Sequence, residues 1–264
     1  MGIFDSGIGG MTVAKTIRKQ LPNESITYFG DTAHLPYGDK SAESIRHYAA
    51  RITAWLVQKK VKMVVIACNT ASSYAHETVK DICGPRIPVI NVIDPVVDHV
   101  ANSFAIANKI GIIGTKGTID SRVYPKRIQK LKPGLKIISQ ATPLLAPMIE
   151  EGFFNNSISK TVIASYLDKK SFEDIDAIVL GCTHYPLIHK EIAQHYDHKV
   201  EVIDSAKIVA KSVKETLDRL GMAAGNEAQP TYSFSVSDYT KSFDKSTRIF
   251  FKEKTTLNEE RLWD

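Results

Sequence analysis

The sequence predicts an α/β protein of two similar lobes. Their mainly parallel sheets are related by a pseudo-two-fold axis, with a candidate active site in the cleft between them. Three observations carry this. Val64-Val65-Ile66-Ala67-Cys68-Asn69-Thr70 and Ile178-Val179-Leu180-Gly181-Cys182-Thr183-His184 are near-duplicates: an apolar run of strand length, a small residue, a cysteine, and a threonine within two positions. Gly111-Ile112-Ile113-Gly114-Thr115 repeats the form of Gly2-Ile3-Phe4-Asp5-Ser6, an apolar strand ending in a small polar turn. The separation of Gly2 from Cys68 is nearly that of Gly111 from Cys182. Each half therefore places a thiol at the carboxyl end of a buried parallel strand, just before a helix, where open α/β sheets put their ligands.

Taken in order, Gly2-Ile3-Phe4 is a strand stub running into Asp5-Ser6-Gly7-Ile8-Gly9-Gly10, and Val13, Ala14, Ile17 and Leu21 give the next helix an apolar face. A glycine-rich strand-to-helix turn offers backbone N–H groups to a carboxylate or phosphate. Asp5 and Ser6 add polar groups at the strand tip. The dinucleotide fingerprint is incomplete, because Thr12 stands where its third glycine belongs. A second strand at 26–29 leads into a turn-rich loop at 30–38. Ser41 then caps a helix with the stripe Ile45, Tyr48, Ala49, Ile52 and Leu56.

After Cys68, a helix carries Tyr74, Ala75, Thr78, Val79 and Ile82 on one face. A strand at 87–93 follows, then a helix from Pro95 to about Ala107. The second half adds a strand at 135–139 and helices at 143–151 and 157–167. Beyond Cys182, Pro186 opens a helix with Ile188, Ile192 and Tyr196 inward. A strand at 200–203, a helix at 207–220 ending at Gly221, a polar loop at 223–230 and an alternating strand at 232–236 complete the pattern. The tail past Lys252 is expected to fray. The lobes are expected at 1–94 plus 207–264, and at 95–206.

Composition narrows the class. Apolar residues make up 43% and charged residues 24%, ordinary for a globular protein. No apolar run approaches the roughly 20 residues of a membrane span, and the first residues, without a basic region or cleavage signal, do not read as an export peptide. Three cysteines do not make a disulfide framework, which points to a reducing, cytoplasmic setting. The net charge of +5 comes from scattered basic residues, a solvated surface rather than a nucleic-acid patch.

Two thiols converging from related lobes suit removal of a proton from one face of a tetrahedral carbon and return of a proton to the other. A thiol's ordinary pKa of about 8.5 is readily lowered at a helix N-terminus. One sulfur must be thiolate and the other thiol. Asp5 beside one and His184 beside the other would set those states, while Ser6, Asn69, Thr70, Thr115 and Thr183 would hold the substrate. Other readings stay open. A metal site from Cys68, Cys182 and His184 lacks a close ligand pair. A Cys–His nucleophile leaves one cysteine unexplained. A two-lobed solute-binding module would close on an anionic amino acid without turnover. Cys83 is a structural cysteine at a helix end. His34, His47, His76, His189, His195 and His198 read as surface or loop residues.

Asp5-Ser6-Gly7-Ile8-Gly9-Gly10, Leu35-Pro36-Tyr37-Gly38, Ala67-Cys68-Asn69-Thr70-Ala71-Ser72, Glu150-Glu151-Gly152 and Gly181-Cys182-Thr183-His184-Tyr185-Pro186-Leu187 closely resemble, in order, the motifs of bacterial glutamate racemases. One cysteine motif alone would indicate only the wider aspartate/glutamate racemase superfamily. The resemblance implies a cofactor-independent, two-base interconversion of L- and D-glutamate, supplying D-glutamate for peptidoglycan. It implies that Cys68 and Cys182 are the acid/base pair. By the same carry-over Asp5, Ser6, Pro36, Tyr37, Gly38, Asn69, Thr70, Thr183 and His184 contact substrate, Thr115 and Thr118 form a second binding turn, and Glu150 or Glu151 lies near the cleft. The family fold returns the C-terminal part of the chain to the first lobe. Members usually carry a few residues before the motif that begins here at Gly2, so a short first strand is expected, and regulation through a long N-terminal extension is not. No cofactor or metal is expected. The expected partners are glutamate and a second copy of the chain, with neither nucleic acid nor membrane.

Overall fold

The apolar runs become strands buried on both faces, and the striped segments become the helices that cover them. The computed structural model describes residues 1–251 and 255–263. Its first half alternates β1 (Gly2–Asp5), α1 (Met11–Gln20), β2 (Ile26–Gly30), α2 (Ala42–Gln58), β3 (Val64–Ile66), α3 (Asn69–Cys83) and β4 (Val89–Asn91). Next come α4 (Asp94–Ser103), β5 (Lys109–Gly114), α5 (Lys116–Asp120), α6 (Val123–Leu131), β6 (Lys136–Ala141), α7 (Leu145–Glu150), α8 (Ser157–Leu167), β7 (Ala177–Gly181), α9 (His189–His195) and β8 (Glu201–Ile203). The chain finishes with α10 (Ser205–Arg219), β9 (Tyr232–Val236), α11 (Lys241–Phe251) and β10 (Asn258–Glu259).

The strands form two sheets, ordered β10-β9-β2-β1-β3-β4 and β6-β5-β7-β8, with every pairing parallel. The run β2-β1-β3-β4 has the same order as β6-β5-β7-β8, so the duplication seen in sequence is a duplication of topology. β1 matches β5 and β3 matches β7. Parallel strands need helical crossovers on both faces. Ile3, Val65 and Tyr28 accordingly pack on one side of the first sheet, and Phe4, Ile66 and Phe29 on the other. α10 packs on α1 and α4, and α11 on α1, which returns the end of the chain to the first lobe.

Local chemistry sets the helix starts. The Ser41 hydroxyl accepts from the Ser44 N–H at 3.1 Å to cap α2, whose buried face includes Ile45, Ala49, Ile52 and Leu56. Asn156 accepts from the N–H groups of Ile158 and Ser159 to cap α8. No helix among the described residues is long and apolar enough to cross a membrane.

Two expectations change. α4 ends at Ser103 rather than near Ala107, because Asn108 accepts from the Ala105 N–H at 2.8 Å and turns the chain there. The tail is not frayed over 255–263; residues 252–254 lie outside the described residues. β10 pairs with β9, Leu257 is buried, and the Trp263 indole donates to Asp31 Oδ1 at 3.0 Å. The first strand is short, as expected, and the Met1 ammonium group donates to the Ser25 carbonyl at 2.6 Å.

The tail contact is testable by urea unfolding. Trp263→Ala removes a hydrogen bond to a buried carboxylate and edge contacts to His34 and Tyr48. It should lower the unfolding free energy by about 2 kcal/mol. No change would mean the tail is detached in solution.

Candidate active site

At the carboxyl end of each central strand the ladder stops and a helix has not yet begun, so backbone and side-chain polar groups face outward together. Asp5 ends β1, Cys68 follows β3, Thr115 follows β5 and Cys182 follows β7. Cys68 caps α3: its Sγ accepts from the Ala71 N–H at 3.4 Å and lies 3.6 Å from Ser6 Oγ. Thr115 caps α5, accepting from the Thr118 N–H at 3.3 Å. Asp5 is fully buried beneath its turn, with Oδ2 accepting from the N–H groups of Gly7 (3.2 Å) and Gly10 (2.9 Å).

The lobes meet at these tips with almost nothing between them. A Cβ on Gly9 would overlap the His184 ring, and one on Gly38 would sit 2.8 Å from Thr115 Cβ. Hydroxyls stitch the seam. Thr12 donates to the Thr183 carbonyl at 3.0 Å, and Thr70 Oγ1 lies 2.8 Å from Thr115 Oγ1 and 3.2 Å from Thr118 Oγ1.

Between the lobes lies a cleft of about 230 Å³. Of the residues expected at the site, Ser6, Pro36, Tyr37, Gly38, Cys68, Asn69, Thr70, Thr115, Glu150, Cys182, Thr183 and His184 line it. Asp5 and Thr118 sit behind its wall, and Glu151 is exposed at the end of α7, so Glu150 is the acidic residue that faces in. Ala146 and Pro147 of α7 also line the cleft. They carry no polar side-chain atom by which sequence could have marked them.

The electrostatics differ at the two thiols. Burial, reinforced by the Asp5 carboxylate, pushes the Cys68 thiol up to about 12. Burial also raises Asp5, opposed by His184 and by the N–H groups that its carboxylate accepts. His184 has Nδ1 3.5 Å from Cys182 Sγ and Nε2 2.8 Å from Glu150 Oε1. Burial opposes charging this imidazole, but Cys182 and Glu150 prevail and hold it well above the ordinary histidine value. One sulfur is thus kept as a neutral acid while the other faces an imidazolium. Such a pair can take a proton from a bound carbon and deliver one to it.

Cys83 packs in the core at the end of α3, with burial holding its thiol up at about 11. Among the described residues no group of three or more His, Cys, Asp and Glu could hold a metal ion. His34 is not a plain loop residue. Its ring stacks on Tyr48 at 4.0 Å, and Nδ1 lies 3.0 Å from the buried Asp31 carboxylate, which also accepts from the Tyr37 hydroxyl at 2.6 Å.

Residues 11–213 match the model of the Asp/Glu/Hydantoin racemase family. The chain is 39% identical over 243 residues to a glutamate racemase of Geobacter metallireducens, covering 92% of this chain and 89% of that protein. Its fold superposes on the glutamate racemase of Francisella tularensis solved with D-glutamate, with a TM-score of 0.92, 37% identity and 99% and 97% of the two chains covered. It also superposes on the Escherichia coli glutamate racemase solved with L-glutamate and the activator UDP-MurNAc-Ala, with a TM-score of 0.73, 25% identity and 93% and 92% covered. Matched over most of its length by that model and nearly end to end by these relatives, the chain belongs to the Asp/Glu/Hydantoin racemase family.

Proposed function

We propose that this protein is a glutamate racemase that interconverts L- and D-glutamate without a cofactor, using Cys68 and Cys182 on opposite faces of the α-carbon. The observation that carries the reading is that cysteines from equivalent strand tips, after β3 and β7, line one cleft. Relatives named glutamate racemases, one of them solved with D-glutamate and another with L-glutamate, support the choice of substrate.

In this reading a thiolate on one face takes the α-proton, breaking the Cα–H bond. The electron pair is held on the α-carbon and its carboxylate. The thiol on the other face then gives its proton to form the new Cα–H bond, so one sulfur ends protonated and the other as thiolate. The reverse reaction exchanges the roles. The neutral Cys68 thiol suits the donor state, and on the other face the His184 ring, raised by Cys182 and Glu150, stands 3.5 Å from the second sulfur as a proton partner for it. Glu150 orients and charges His184, and Asp5 acts on Cys68 from beneath the turn. Ser6, Asn69, Thr70, Thr115 and Thr183 supply hydroxyl and amide groups for the substrate's carboxylates and amine. The product would supply peptidoglycan synthesis in the cytoplasm, and the enzyme would work as a homodimer.

The test follows optical rotation from either enantiomer, with chelator, reductant and no added cofactor. Both should reach the racemate, and Cys68→Ser and Cys182→Ser should each slow the reaction by about 10³-fold or more. Conversion of aspartate but not glutamate would move the substrate assignment; conversion of neither would overturn the reading.

A pH test isolates the His184–Glu150 pair. His184 is raised in the folded state, so its stabilising contribution is complete below its unfolded value near 6.5 and is lost as pH rises through the folded value. Glu150→Gln should therefore destabilise the protein by about 1–2 kcal/mol at pH 6. Urea unfolding should find that deficit shrinking as pH rises through the folded value of His184. A deficit that stays constant while the imidazole is seen by NMR to lose its proton would contradict the assigned charge.

A further inference from the structure

Tyr124 is buried on α6 of the second lobe and does not line the cleft. Its hydroxyl donates to Asn69 Oδ1 at 2.8 Å, across the lobe boundary. Asn69 opens α3 directly after Cys68 and lines the cleft, and its Nδ2 is buried without a hydrogen-bond partner in the protein. An unmet buried donor is unfavourable, so this amide is built to be completed by something that binds.

An asparagine amide has two orientations of nearly the same shape, one presenting an acceptor and the other a pair of donors. Toward an anionic ligand the two are opposites: an NH2 group binds a carboxylate oxygen and a carbonyl repels it. In the structure the Tyr124 hydroxyl donates to Oδ1, and that pairing sets the orientation. With its proton committed to Oδ1, the NH2 group is what remains for the ligand. Burial keeps the phenol protonated, so the proton this hydrogen bond needs is retained.

We infer that Tyr124 is a positioning residue for substrate binding, holding the Asn69 amide with its NH2 group available to a carboxylate oxygen of the amino acid. Because Tyr124 belongs to the opposite lobe, the amide is set only when the lobes are together. The inference rests on the racemase reading for the identity of the ligand, while the hydrogen bond and the unmet donor stand apart from it.

Tyr124→Phe in the full chain keeps the ring and removes only the hydroxyl. KM for both enantiomers, and the Kd for D-glutamate by calorimetry, should rise about tenfold, with kcat within about twofold, because the contact is made in the ground and transition states alike. Asn69→Ala should weaken binding to a similar degree, and adding Tyr124→Phe to it should change nothing further. Asn69→Asp gives an independent check: it keeps an oxygen for Tyr124 but puts a second acceptor where the NH2 stood, and should weaken binding at least tenfold. The inference is overturned if Tyr124→Phe leaves KM unchanged in an active enzyme, if its effect is as large in the Asn69→Ala background, or if Asn69→Asp binds normally. Wild-type protein that neither racemises nor binds glutamate would instead overturn the reading on which it rests.

Discussion

The site depends on how closely the two lobes approach at their strand tips. At Gly9 the backbone of the first lobe lies against the His184 ring of the second, and at Gly38 it lies against Thr115. Any side chain at Gly9 would force the lobes apart just where Cys182 and His184 stand. The seam holds because its gaps are filled by small hydroxylic residues that bond across it, Thr12 to Thr183 and Thr70 to Thr115 and Thr118. Parallel sheets supply the rest. With every strand running the same way, each central strand delivers its last residue and the start of the next helix to the same end of the lobe.

The fold is repeated but the chemistry at the tips is not. Cys68 lies near Ser6, with Asp5 buried below; Cys182 faces His184 and, behind it, Glu150. In a buried site each neighbour acts strongly, because little water intervenes. A carboxylate near Cys68 adds to the penalty of burial and keeps a proton on sulfur, whereas on the other side Cys182 and Glu150 hold the His184 imidazole toward its charged form. Asp5 is itself costly: one oxygen is held by the Gly7 and Gly10 N–H groups and the other, Oδ1, has no partner. Such an incompletely satisfied carboxylate just behind the wall of a cleft belongs to function more readily than to stability.

Much of this was legible in the sequence because it is local. An apolar run that stops at a small residue and resumes as a helix stripe marks a strand tip, and that placed Asp5, Cys68, Thr115, Cys182 and His184. The repeated spacing gave the two lobes. What sequence missed depends on contacts between distant residues. Nothing near Tyr124 marks it as the partner of Asn69, 55 positions away. His34 looks like a loop residue until Asp31, Tyr48 and the far end of the chain close around it. The tail's order is invisible to local pattern because its pairing is with β9 and its indole reaches back 232 positions. Glu150 and Glu151 differ only in helix phase, which short-range pattern cannot fix at the end of a six-residue helix.

The central claim is that two sulfurs on opposite faces divide the proton transfer. The most direct measurement is deuterium wash-in: L-glutamate in D2O, sampled early, with the enantiomers separated and the α-position of each read by NMR or mass spectrometry. The account predicts that newly formed D-glutamate carries deuterium while the remaining L-glutamate keeps its proton. Deuterium entering the L-glutamate pool as fast as D-glutamate appears would mean that one base serves both faces, and would contradict it.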